Sequence, residues 1–202
     1  MIEVIFDLET KKFFDETGNF DPSGLGVSIV SVYRRELDAD FKEISGEMKS
    51  FWERDIAEMW KLFLDADRII GFNSLRFDVP ALKPYAPAAF ARLPHFDILD
   101  HIKEAFGHRA SLNKIAKATL GELKTDSGAS ATEYFAKGDP ESLQKLRTYC
   151  EADVMITKKV YDFGFANGYL NLVDYWNTER KIVVDFSYPK TVDAVGRQAS
   201  LF

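Results

Sequence analysis

Asp7 and Glu9 stand at i and i+2 directly after the apolar run Ile2–Phe6. If that run is a strand, both carboxylates leave it on the same face. Two acids so close repel each other unless protons or a cation intervene. A hard divalent metal, which prefers oxygen ligands, is the cation that suits them, although two solvated acids at a strand end would read the same way. A second group is Gly71-Phe72-Asn73-Ser74-Leu75-Arg76-Phe77-Asp78-Val79-Pro80. Asn73 suits a turn there, and Asp78 precedes a helix that it could simply cap. In the third group, Tyr149-Cys150-Glu151-Ala152-Asp153, Tyr149 and Asp153 share one helix face. That face continues Leu143 and Leu146, which turns Asp153 inward. An unpaired carboxylate is costly there, and a cation shared with Asp7 would offset the cost. Asp97 and Asp100 join no such group and are not counted as ligands.

Several elements must position these acids. Ile2–Phe6 and the alternating, β-branched Gly26–Tyr33 read as strands, with Asp40–Ser45 a weaker third. Phe51, Trp52, Ile56, Met59, Trp60 and Phe63 approach helical spacing over 51–65. Arg68–Phe72 reads as a short strand and Val79–Tyr85 as a short helix broken at Pro84. His95–Leu99 is either a strand or the start of a helix running towards Phe106. Ser111 suits the N-cap of a helix stopped by Gly121, and Asp126, Ser127 and Gly128 suit a loop. The clearest helix has Asp139 as N-cap and Pro140 in its first turn, and is ended by Gly164 and Gly168. Strands followed by strands mixed with helices predict a layered α/β or α+β domain, with a boundary near residue 170. Residues 171–202 are read as an extension or tail in which Ile182–Phe186 adds a strand.

Composition narrows the classes. The 202 residues suit one domain, and 46% hydrophobic with 29% charged residues excludes wholesale disorder and fibrous repeats. A lone cysteine, Cys150, makes neither an internal disulfide nor a cysteine-based zinc cluster, which predicts a reducing compartment. No apolar run approaches the ~20 residues of a membrane span, and the N-terminus shows no basic leader. A cytoplasmic protein without a membrane partner is expected. The net charge of −6 argues against non-specific coating of nucleic acid. Locally the balance reverses: His101–Lys124 holds Lys103, Arg109, Lys114, Lys117 and Lys124 against Glu104 and Glu122. That segment suits phosphate contacts, or equally a solvated helix face.

Phe6-Asp7-Leu8-Glu9-Thr10, then Asn73 through Phe77-Asp78, then Tyr149-x-x-x-Asp153 resemble, in order, the three motifs of the DEDD 3′–5′ exonuclease superfamily. Tyrosine four residues before the last acid resembles the DEDDy subgroup; the histidine of the DEDDh subgroup would fall on Thr148. The resemblance covers roughly residues 2–165 and is similar to exonucleases related to the proofreading domain of family-B DNA polymerases. It implies a ribonuclease H-like α/β fold, a mixed five-stranded sheet flanked by helices with one strand antiparallel. It further implies that Asp7, Glu9, Asp78 and Asp153 hold two Mg²⁺ or Mn²⁺ ions. Tyr149 would orient the attacking water, because a tyrosine pKa of ~10 makes a poor base. Thr10, Asn73 and Phe77 would touch the terminal nucleotide. Phe13, Phe14, Phe72 and Phe77 would either stack on bases or fill the core. The implied activity is hydrolysis of phosphodiesters at 3′ ends of single-stranded nucleic acid, with DNA slightly favoured.

The chain ends Gln198-Ala199-Ser200-Leu201-Phe202, similar to the bacterial sliding-clamp-binding pentapeptide. Gln198, Leu201 and Phe202 would enter the clamp's pocket, unless the last two residues fold back on the domain. The alternative to an enzyme is an inactive module of the same fold that binds nucleic acid or a clamp. An aspartyl-phosphate phosphatase fits less well, since Glu9 stands where its second Asp belongs.

Overall fold

A computed structural model describes residues 1–18, 20–122 and 128–188. Five strands, β1 (Ile2–Thr10), β2 (Val27–Leu37), β3 (Glu43–Trp52), β4 (Arg68–Gly71) and β5 (His95–Asp97), form one mixed sheet in the order β3-β2-β1-β4-β5. β1 pairs parallel with β4 and β4 with β5, while β1–β2 and β2–β3 are antiparallel. Within this sheet, then, β2 runs against the rest. The helices are α1 (Phe14–Thr17), α2 (Ile56–Met59), α3 (Asp78–Leu82), α4 (Ile98–Phe106), α5 (Leu112–Leu120), α6 (Gly128–Lys137) and α7 (Pro140–Asn167). A hairpin of β6 (Tyr169–Val173) and β7 (Glu179–Val183) follows. The result is the expected ribonuclease H-like α/β fold. No helix among the described residues is long and apolar enough to cross a membrane.

β1 sits in the middle of the sheet and is apolar on both faces, as a covered strand must be. Val4, Phe6 and Leu8 pack with Val30, Val32 and Ile69 on one side. On the other, Ile5 joins Ile70 and Phe96 beneath Val154, Val160 and Tyr161 of α7. The pairing of Ile5 with Ile70 leaves Asp7 and Glu9 beyond the carboxyl end of β4, where α/β sheets leave a crevice.

The region expected as a helix over 51–65 divides. Phe51 and Trp52 end β3, paired with Val30 and Ile29, and face opposite sides of the sheet. Only short turns around α2 follow. Adjacent apolar side chains on opposite faces are a strand property that the helical spacing imitated. β3 also runs past its expected end at Ser45, through the exposed Gly46, Glu47 and Lys49 of an edge strand, which carry no apolar alternation. The His95 stretch is a strand that becomes a helix at Ile98. Gly164 does not end α7; a Cβ there would come within 2.1 Å of the Phe186 ring, so glycine is what lets that ring lie on the helix. Gly168, at φ 73°, is the stop.

The boundary expected near residue 170 falls inside β6. Leu170, Leu172, Ile182, Val184 and Phe186 are buried in the same cluster as Ile5 and Val160. Residues 184–188 strap across the start of the sheet. Arg68 donates to the Phe186 and Ser187 carbonyls at 2.7 and 2.6 Å, with its guanidinium 3.6 Å from the Tyr188 ring centroid. Beside them, buried Glu3 accepts from Arg35 Nε (2.7 Å), from Tyr161 Oη (2.8 Å) and from Tyr188 Oη. Arg35 also reaches Glu43 at 3.1 Å and Asp162 at 2.6 Å.

Candidate active site

Three elements meet at the carboxyl end of β1. Asp7 and Glu9 leave the strand on the side covered by α7, as their spacing predicts. α7 crosses directly over them: Cys150 Sγ lies 3.5 Å from the Asp7 carbonyl oxygen, toward which its thiol points. One turn further on, Asp153 is buried, and ligand atoms of Asp7, Glu9 and Asp153 all lie within 4.8 Å of one another. Tyr149 shares that helix face and is buried beside Ile29, Leu146 and Cys150. Burial and the neighbouring acids push the Cys150 thiol well above its ordinary pKa, so it is a packed, unreactive filler.

Asp78 arrives from the other side of the sheet as the first residue of α3, with Phe77 in the cap position and no side-chain cap bond there. The capping role open to Asp78 in the sequence is therefore not taken. Its side chain is 4% exposed, and Oδ1 has no hydrogen-bond partner. Burial first, then the charges of Asp7, Asp97 and Glu9, hold its carboxyl well above the usual range. A buried acid with an unsatisfied oxygen and like charges around it is a group to which a cation would be strongly attracted. Hard carboxylate oxygens are the donors that Mg²⁺ and Mn²⁺ accept, so the residues fit such ions.

The loop that delivers Asp78 is built by Asp97, an acid outside the three motif groups. Asp97, 1% exposed, accepts from Asn73 N (2.8 Å) and Leu75 N (2.9 Å), and caps α4 through Leu99 N (3.0 Å). Asn73 takes a left-handed φ of 66°, which asparagine tolerates better than most residues. Ser74 tucks against Gly71 so closely that a Cβ there would stand 2.5 Å away. The only local signal for Asp97 was its place at a strand-to-helix junction, where Asp is a common cap.

Other expected contacts surround the acids. Thr10, half-buried, donates its hydroxyl to the Lys12 carbonyl at 3.0 Å. Asn73 Oδ1 accepts from Arg109 at 2.7 Å, which brings part of the basic 101–124 segment to the site. The Phe77 ring packs edge-on to Phe14 at 6.1 Å, and Phe14 lies 5.7 Å from Phe20. Phe13 is exposed; so is Phe20, at 87%, which lies outside the three motifs. Phe72 instead packs against the core. Gln198, Leu201 and Phe202 lie outside the described residues.

A family model described as the RNase H superfamily matches residues 4–163. The chain belongs to the RNase H superfamily. It is also 26% identical over 177 residues to the DNA polymerase delta catalytic subunit of Candida albicans, across 67% of this chain. The match spans 17% of that protein, so it bears on one part of a much longer relative. Superfamily membership, this likeness and the acidic cluster support nuclease-type chemistry in this RNase H superfamily member.

Proposed function

We propose that the protein is a 3′–5′ exonuclease that hydrolyses single-stranded nucleic acid with two divalent metal ions. The observation that carries the reading is the approach of Asp7, Glu9 and Asp153 to within 4.8 Å of one another, beside a buried Asp78 with an unsatisfied oxygen. These four acids would hold Mg²⁺ or Mn²⁺. Bound there, the ions supply Lewis-acid stabilisation of phosphodiester charge and a water acidic enough to attack near neutral pH. Tyr149, buried one turn before Asp153, orients that water. Asn73, Thr10 and Phe77 hold the terminal nucleotide, with Asp97 keeping Asn73 and the following turn in place.

DNA is favoured over RNA because the relative is a DNA polymerase subunit and because the tail resembles a sliding-clamp-binding peptide. That tail, Gln198 to Phe202, would dock a clamp; Leu201→Ala/Phe202→Ala should abolish binding to the immobilised clamp. The single buried thiol suits a reducing cytoplasm.

The test is hydrolysis of 5′-labelled single-stranded DNA and RNA with Mg²⁺ or Mn²⁺. The expected product is a ladder shortening from the 3′ end, faster on DNA and lost in EDTA and in Asp7→Ala. Internal cuts, or no cleavage of either strand, would overturn the reading.

A further inference from the structure

Two surface features outside the acidic cluster remain without a role. The first is the tip of the β6–β7 hairpin, where Tyr175 and Trp176 are 96% and 78% exposed. Their rings lie edge-to-face at 6.2 Å. A built turn presents them: Asp174 accepts from Trp176 N (3.0 Å), Thr178 N (2.9 Å) and Arg180 Nε (2.8 Å). Two large aromatics held in water on an ordered turn forgo burial, which marks a binding surface.

The second is the exposed side of α5. It begins beside the candidate site, just after Arg109, whose guanidinium bonds Asn73 at 2.7 Å. Lys114 and Lys117, three residues apart, are neighbours on its solvent face. At its far end Thr119 bonds the backbone of Asn171 on β6 in both directions, at 3.1 and 3.0 Å. α5 is thus a rigid span of roughly 13 Å that ties the acids to the aromatic hairpin. Its basic side stands out on a chain of net charge −6.

We infer that a single strand whose 3′ end lies at the acidic cluster runs out along α5, its phosphates on Arg109, Lys114 and Lys117 and a base stacked on Trp176. This rests on the proposed function for the 3′ end and adds where the rest of the strand lies. Lysine and arginine hold the backbone, and an aromatic face accepts any base, so the track is tolerant of sequence.

The experiment is fluorescence anisotropy with 5′-labelled oligothymidylates of about 4 and about 15 nucleotides, using full-length Asp7→Asn protein in Mg²⁺ so that the ligand survives. Wild-type hydrolysis is measured in parallel. The longer strand should bind more tightly and quench tryptophan fluorescence. Adding Trp176→Ala should weaken it about tenfold and remove the quenching, with Trp52 and Trp60 still present. Lys114→Ala/Lys117→Ala should lower the salt slope of log K by about 0.7 per lysine; Lys49→Ala/Lys61→Ala, of equal charge change, should not. If wild type hydrolyses the strands but neither Trp176→Ala nor the Lys114/Lys117 pair changes affinity beyond the control, the track is overturned and the proposed function stands. A hairpin that docks a protein instead would give that same result. If wild type hydrolyses nothing and no oligonucleotide binds at either length, the proposed function falls together with the track.

Discussion

The α7 side of β1 carries acids at both ends, and the fold treats them in opposite ways. At the start of the strand, buried Glu3 is surrounded by donors, with Arg35, Tyr161 and Tyr188 all bonded to its carboxylate. At the other end, Asp7 and Glu9 meet Asp153 within 4.8 Å. The charges acting most on Asp78 beside them are Asp7, Asp97 and Glu9, all of one sign. Burial alone does not set the treatment, since Glu3 and the Asp78 that joins the cluster from α3 are both nearly inaccessible, while Asp7 and Glu9 are half-buried. The partners do. A carboxylate saturated by a guanidinium and hydroxyls is part of the architecture, joining β1, β2, α7 and the strap. Carboxylates gathered within 4.8 Å of one another form a cluster to which a cation would be attracted.

The sharpest way to break this comparison is to neutralise one acid at each end. Asp7→Asn or Asp153→Asn should lower hydrolysis about 10³-fold or more, since several kcal/mol of charge stabilisation go with a metal ligand. Thermal melts should show the fold retained. At the other end, Arg35→Ala strands the buried Glu3 charge, while Asp162 keeps Lys158 at 2.8 Å, and should cost about 3–5 kcal/mol of stability. Melting temperature should drop by roughly 10 °C, with hydrolysis per folded molecule unchanged. If the two variants exchanged these outcomes, the assignment of architecture and chemistry would be reversed.

Cation binding sharpens the contrast. Mg²⁺ or Mn²⁺ at about 100 times its dissociation constant should stabilise the protein by about 2.7 kcal/mol, and Asp78→Asn should lose most of that gain. The pH dependence has a definite sign. Asp78 is held above its ordinary value by burial and by Asp7, so the native state keeps a proton that the unfolded chain releases near pH ~3.9. Its contribution to metal-free stability is therefore full below that pH and is lost as pH rises through the folded value. Melts in EDTA across the pH range should show that decline in wild type and less of it in Asp78→Asn; equal slopes would remove Asp78 as its source. The smallest effect expected is that of Asp97→Asn. One side-chain arm becomes a donor facing a backbone N–H, which should cost about 1.5–3 kcal/mol and reduce kcat while the protein remains folded.

Much of the site was legible because its spacings are local. An i, i+2 pair on a strand and an i, i+4 pair on a helix declare a shared face wherever the elements later pack, which grouped Asp7 with Glu9 and Tyr149 with Asp153; joining the groups into one site took the resemblance of the three motifs. Asp78 was ambiguous because capping and ligation use the same residue type before a helix. Asp97 was invisible as a positioning residue, since its partners Asn73 and Leu75 lie 24 and 22 residues away. Of the loop expected at Asp126, Ser127 and Gly128, the first two lie outside the described residues and Gly128 instead opens α6. The long C-terminal strap had no signal of its own: its anchors, Arg68 and Glu3, come from the sheet.

By itself, the sequence determined the order of the acids, the faces they share and the alternation of strands and helices, because periodicities of 2 and 3.6 residues are properties of the backbone. Tertiary structure alone decided which acids gather into a cluster and which meet a guanidinium. Glu3 and Asp7 are both acids on the same side of one strand; Arg35 is paired across from Glu3 in the β1–β2 register, and Tyr161 and Tyr188 reach it from 158 and 185 residues further along the chain. Charge compensation in a low-dielectric interior acts through space over a few ångströms, and no local pattern in the chain states which distant residue will arrive there.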